Sequence, residues 1–298
     1  MSEILLILFK ITVLIFMIGN LVDLGLKLNL KEAFRGLRDV RFVVLSLLWA
    51  FVLCPGLAYV LSMFIPLTPG YAMGFLLLAM APCAPLLPMM TEKARGDLNY
   101  SATAILLAAV GTVIYMPIMV PLMIKGLTVS AWAVAKPLLL LVLIPLVIGV
   151  IIQNRWASFA SRIEPFVKKF TGVDTLLMVI LILIIYGKGF IGSIGSYAIG
   201  TQVIFFSVIA VASYAIGFGM PARQKSVMTL ALTTRNCGAA LAPLFVAKGV
   251  DPTAIVMVTL GIPMMMISSL ISARVFAALS ARRPSEKSVP GSPQAQHP

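Results

Sequence analysis

Long apolar runs separated by short polar stretches make up almost the whole chain. They cover residues 4–25, 40–64, 70–91, 98–124, 131–152, 172–191, 197–219, 226–246 and 252–279. A helix of about 20 residues crosses the ~30 Å hydrocarbon core of a bilayer, and each run reaches that length. Two-residue alternation, the mark of a transmembrane barrel, is absent. The pattern therefore predicts an all-α polytopic membrane protein with about nine transmembrane helices. The first run carries Lys10, has no small-residue cleavage pattern and leads directly into a basic loop, so it reads as a helix and not a signal peptide. The stretch Pro284 to Pro298 is rich in proline and serine without apolar periodicity, and is expected to be a disordered cytoplasmic tail.

Two runs contain a polar or proline-rich break. In the eighth, Thr233, Thr234, Arg235 and Asn236 interrupt the apolar sequence from Ser226 to Val246. Arg235 follows Lys225, the last basic residue before the run, by about 15 Å of helix, which places it near the midplane. In the third run, Pro82, Pro85 and Pro88 cannot share one continuous helix, because each removes a donor and clashes with the preceding turn. Counting back from Lys93 places Pro85 about 12 Å inside the membrane, close to the depth of Arg235. Freed backbone groups at that depth need protein or water. Two interrupted helices running in opposite directions point to an inverted-repeat transporter, in which a core with two broken, crossing helices moves beside a panel. The repeats would be 1–125, with four spans, and 131–279, with five.

Composition and charge sharpen this picture. The 298 residues are 60% hydrophobic and 11% charged, with a net charge of +13. The basic residues lie singly between apolar runs and not on a soluble face, which argues against a nucleic-acid partner. Most of the 23 lysines and arginines fall in alternate loops, after the first, third, fifth, seventh and ninth runs. The positive-inside rule then sets the N-terminus outside and the C-terminus in the cytoplasm, as in a multi-pass protein of a cell inner (plasma) membrane. The single histidine is His297, so histidine-based metal sites and Ser-His-Asp chemistry are excluded. Cys54, Cys83 and Cys237 lie in apolar runs without metal or disulfide spacing. No enzyme, metal or cofactor is expected; the partners are the lipid bilayer and a small solute.

The candidate site follows from the breaks. Arg235 has two readings. It either binds backbone carbonyls or a helix C-terminus as a structural partner, or it holds an anion, which a guanidinium matches bidentately. Thr233, Thr234 and Asn236 either line the cavity or join helices. Cys83, Pro85 and Ser101 complete the candidate substrate-binding set. Asn20 and Asp23 lie toward the inner end of the first run, with Asp23 read as interfacial. Met264, Met265 and Met266 read as packing residues.

Several of these stretches resemble the bile acid:sodium symporter family. Pro82-Cys83-Ala84-Pro85 followed by Thr91, Ala94-Arg95-Gly96-Asp97 and Ser101 is similar to that family's first crossover and the turn after it. Arg235-Asn236-Cys237-Gly238-Ala239-Ala240-Leu241 is similar to its second crossover, and Gly25-Leu26-Lys27-Leu28 to a motif of its first repeat. The resemblance implies a core-and-panel fold, usually of ten helices, of which this chain lacks the first. It also implies cation sites whose ligands are mostly missing. At the positions matching the first site stand Leu87, Pro88, Ser101, Ile105 and Ala231, and only the serine is retained. At the second stand Ala231 and Arg235. A fixed cation in place of oxygen ligands implies transport that does not use sodium, with Arg235 substituting for the bound ion and leaving an anion site.

The sequence thus supports a secondary-active or facilitative transporter of a small organic anion, working by alternating access. A metalloid efflux permease using Cys83, and a non-transporting sensor or partner-binding subunit, are the alternatives.

Overall fold

The computed structural model describes residues 3–124, 130–247 and 249–282. Regular structure among these residues is entirely helical. Among the described residues, seven helices are long and apolar enough to cross a membrane: Glu3–Lys27, Val40–Phe64, Leu98–Met123, Ala131–Arg155, Ala157–Gly192, Ala198–Ala215 and Pro252–Ala281. Isoleucine, leucine and valine side chains cover their outward faces, including Ile4, Leu122 and Val211. Such a surface belongs against lipid. The protein is a multi-pass membrane protein.

The elements run in order α1 (Glu3–Lys27), α2 (Leu30–Leu37), α3 (Val40–Leu48), α4 (Cys54–Phe64), α5 (Pro69–Met80), α6 (Leu87–Lys93), α7 (Leu98–Met123), α8 (Ala131–Leu138), α9 (Ile144–Arg155), α10 (Ala157–Gly192), α11 (Ala198–Ala215), α12 (Ala222–Thr233), α13 (Cys237–Val246) and α14 (Pro252–Arg282). A π-helical turn at Trp49–Leu53 joins α3 to α4, and another at Leu139–Leu143 joins α8 to α9. Each turn lies just ahead of a proline, Pro55 or Pro145. The wider turn absorbs the missing N–H and the ring's clash with the preceding turn.

Side-chain caps set several helix starts. Asn29 accepts from the Lys31 N–H, Asp39 from Phe42, Asp97 from Asn99, Ser130 from Ala133 and Asn236 from Ala239. Each satisfies an orphan N–H of a first turn.

The helices form two layers. In one, α1 lies along α9 and α10. Close contact there needs glycine. A Cβ on Gly25 would fall 2.5 Å from the Leu146 carbonyl oxygen and 2.8 Å from the Gly149 Cα. At one end of this layer Lys27 bonds Asp23 at 2.6 Å and Glu164 at 3.0 Å, joining α1 to α10. The other layer contains the two broken helices, α5/α6 and α12/α13, flanked by α3, α4, α7, α11 and α14.

Three expectations change. The apolar pattern predicts a loop over 153–171, but α10 starts at Ala157 and only Trp156 separates it from α9. Its 36 residues extend about 54 Å, well beyond a ~30 Å hydrocarbon core. Its first half mixes exposed Phe159, Phe166 and Phe170 with Arg162, Lys168 and Lys169, a composition suited to an interface. The basic stretch after the first run also contains a helix, α2, whose Ala33 carbonyl accepts from Thr103 of α7 at 3.1 Å. The seventh run ends its helix at Ala215, four residues early. The tail assigned to 284–298 lies outside the described residues.

Candidate functional site

The two breaks meet. Pro82 and Arg235 form a single antiparallel bridge where α5/α6 crosses α12/α13. The Cys83 N–H donates to the Thr234 carbonyl at 2.9 Å and the Ala231 carbonyl at 3.0 Å, and the Asn236 N–H to Ala81 at 2.9 Å. Breaking a helix inside a membrane exposes carbonyls and N–H groups, and here each break satisfies the other's. Cys83 takes a left-handed φ of 65°, which turns the chain at the crossing.

Thr234 strengthens this junction. It is fully buried, its hydroxyl donates to the Leu230 carbonyl at 2.8 Å, and its oxygen accepts from the Ala84 N–H at 3.3 Å. Thr233 turns back onto its own helix and donates to Thr229 at 3.0 Å.

Arg235 is the largest fully buried side chain among the described residues. Its Nη1 donates to the Ala79 carbonyl at 3.1 Å. Ala79 lies in the last turn of α5, where carbonyls lack intrahelical partners and the helix dipole is negative. The guanidinium carbon stands 5.1 Å from the centre of the Phe205 ring, within cation–π range, and Cys54 lies beside it. Nε and Nη2 have no hydrogen-bond partner. No carboxylate among the described residues pairs with the arginine; the ion pairs found there both belong to Lys27.

A cavity of about 260 Å³ opens between the crossing and the α1/α10 layer. The crossing contributes Ala84, Pro85, Leu86, Arg235, Asn236 and Cys237, the facing helices α1 and α10 contribute Asn20 and Thr175, and α14 contributes Met265. The start of α13 meets this space, bringing the positive end of its dipole. Arg235 bounds the cavity but has no exposed surface, so a solute reaches its free edge only as the wall shifts.

The structure therefore brings Arg235, Asn236 and Pro85 together at one cavity. Thr234 stands behind them as the clasp of the crossing. Thr233, Cys83 and Ser101 do not line this cavity. Cys83 instead faces a small void on the other side of the crossing, with Ser46, Ala104 and Ala231. Ser101 donates to Thr91 at 2.8 Å, tying α7 to α6. Asp23 is held by Lys27. Among the described residues no three His, Cys, Asp or Glu side chains gather as a metal-binding group.

Sequence reading missed Thr175 and the roles of Met265 and Met266, which line the cavity. The Met265 sulfur accepts the Arg235 N–H at 3.3 Å. Thr175 beside Asp174, a polar pair within an apolar run, was the available signal.

Apolar helices around two crossed, broken ones, with a cavity beside the crossing, define a polytopic membrane protein. The sequence matches the sodium bile acid symporter family over residues 12–193, and the chain belongs to that family. The match includes the first break and stops before the second. Comparison with curated proteins finds no match. Family membership makes the protein a membrane transporter.

Proposed function

We propose that the protein carries a small organic anion across the membrane by alternating access, without sodium. In this reading 1–125 and 131–279 are inverted repeats making nine spans, with the N-terminus outside and the C-terminus in the cytoplasm. The layer containing the crossing rocks against α1, α9 and α10, opening the cavity to each side in turn. The observation that carries the proposal is the unpaired edge of Arg235. Nε and Nη2 are adjacent donors in the fork that takes a carboxylate or sulfonate bidentately. An intramembrane cation without an acidic partner makes the site positive before any ligand arrives. The α13 N-terminus adds the positive end of its dipole, and the side-chain NH2 of Asn236, whose oxygen caps α13, supplies a donor. The cavity suits a small solute, lying just below the ~300 Å³ at which drug-sized pockets begin.

Sodium is not needed in this arrangement. Arg235 already occupies the α5 C-terminus as a fixed cation, and Ala231, Leu87, Pro88 and Ile105 offer no side-chain oxygen. The test is thermal stabilisation of the purified protein by acetate, benzoate, succinate, methanesulfonate and taurine, in sodium or in choline buffer. A ligand that binds the folded state raises the unfolding temperature by mass action. The proposal expects an anion that stabilises equally in both buffers; stabilisation that needs sodium would contradict it.

A further inference from the structure

A second buried charge lies on α10, the helix whose Thr175 and Val179 line the far side of the cavity. Asp174 of α10 is 6% exposed, and its Oδ2 is buried without a hydrogen-bond partner. It shares the buried stripe of α10 with Thr171, Met178, Leu181 and Ile182. Thr171 packs against Gly19 of α1, and Thr175, the next residue after Asp174, lines the cavity.

No cation is placed to neutralise it. On α10 itself, the positions one turn away are Phe170, Thr171, Leu177 and Met178. The helices packed against α10 are α1, α9 and α14. On α1 no charged residue lies between Lys10 and Asp23, and Lys27 is bound to Asp23 and Glu164. On α9 the only charge is Arg155, at the inner end and exposed. On α14 nothing is charged from Pro252 to Ala273, and the first charge is Arg274. A carboxylate held among apolar helices without a cation is strongly disfavoured, whereas a carboxylic acid is not.

We propose that Asp174 binds the proton that travels with the anion, making the protein a proton–anion symporter. This rests on the anion site proposed above. An anion entering the cavity adds negative charge close to Asp174 and raises the cost of its ionised form. Oδ2 then accepts a proton from hydronium on the loading side, forming an O–H bond and leaving water; when the anion leaves, that bond breaks and the proton passes to water on the other side. Linkage is reciprocal, so the proton tightens the anion as much as the anion tightens the proton.

The test is infrared difference spectroscopy on the purified wild type, Asp174→Asn and Asp174→Glu. The first arm steps from alkaline to mildly acidic pH without ligand. A carboxylic C=O band should appear in the wild type, vanish in Asp174→Asn and return at a shifted frequency in Asp174→Glu. An identical band in wild type and Asp174→Asn would overturn the proposal, and if Asp174→Asn does not fold, an unshifted band in Asp174→Glu would do so. The second arm adds methanesulfonate at fixed pH. This anion stays ionised and has no carbonyl band, so any proton taken up is on the protein. The same band should grow in the wild type and be lost in Asp174→Asn. Methanesulfonate binding without growth of the band would also overturn the proposal. Failure of any anion to bind would count against the anion site instead, and the first arm reads Asp174 independently of it.

Discussion

Arg235 donates through Nη1 to the carbonyl of Ala79, so a side chain from one broken helix caps the end of the other. The same two breaks exchange backbone bonds through Cys83, Thr234, Asn236 and Ala81. The crossing is thus a single hydrogen-bonded unit, and its parts can be tested one by one.

The Thr234 hydroxyl is the only side-chain group bonding directly between the two breaks' extended backbones among the described residues. Thr234→Val keeps the shape but leaves the Ala84 N–H buried without an acceptor. It should cost about 1–3 kcal/mol of stability, and Thr234→Ser should recover most of the loss. Unfolding in detergent followed by circular dichroism measures both.

Cys83 is expected to be structural. With its φ of 65°, a β-branched side chain there is strained by about 1–3 kcal/mol. Cys83→Val should therefore lower the unfolding temperature, while Cys83→Gly and Cys83→Ser fold normally. Because Cys83 faces away from the cavity, Cys83→Ser should also leave anion stabilisation unchanged. Loss of metalloid resistance in cells carrying Cys83→Ser would favour the efflux reading instead.

Gly25 and Gly149 set the spacing between α1 and α9. Gly149→Val should cost about 1–3 kcal/mol or more through overpacking. Gly172→Ala, where a Cβ would meet nothing within 4 Å, should be tolerated. A comparison of the two unfolding temperatures separates close packing from a general effect of replacing glycine.

Much of this architecture was legible in the sequence, for identifiable reasons. Proline cannot continue a helix, so Pro82, Pro85 and Pro88 mark the first break in the sequence itself. A lone arginine in an apolar run marked the second. What sequence could not show was direction. In the three-residue extended segment Thr234–Asn236, neighbouring side chains point different ways: Thr234 to Ala84, Arg235 to Ala79 and Phe205, Asn236 back to its own helix. A shift of one position would exchange these roles without altering the apolar pattern. The polar start of α10 has the pattern of a loop because a helix lying partly outside the hydrocarbon core has no need of a continuous apolar run. Ser101 matched a family position, but its partner Thr91 lies in a different helix and was not readable from spacing alone.

Orientation is open to a direct check. A reporter fused after the last residue should be active only in the cytoplasm. One inserted at Gly195, in the turn between α10 and α11, should be active only outside, as expected from the distribution of lysine and arginine. The reverse pattern would invert the topology.

The most direct test of the central claim is calorimetric titration of the best-stabilising anion from the panel into wild type, Arg235→Lys and Arg235→Ala, in sodium-free buffer. Arg235→Lys keeps the charge but loses the two-donor edge, and Arg235→Ala loses both. The account predicts at least about tenfold weaker binding in Arg235→Lys, equivalent to ~1.4 kcal/mol, and no measurable binding in Arg235→Ala. Unchanged affinity in a folded Arg235→Ala would contradict it, leaving Arg235 as the cap of α5 alone.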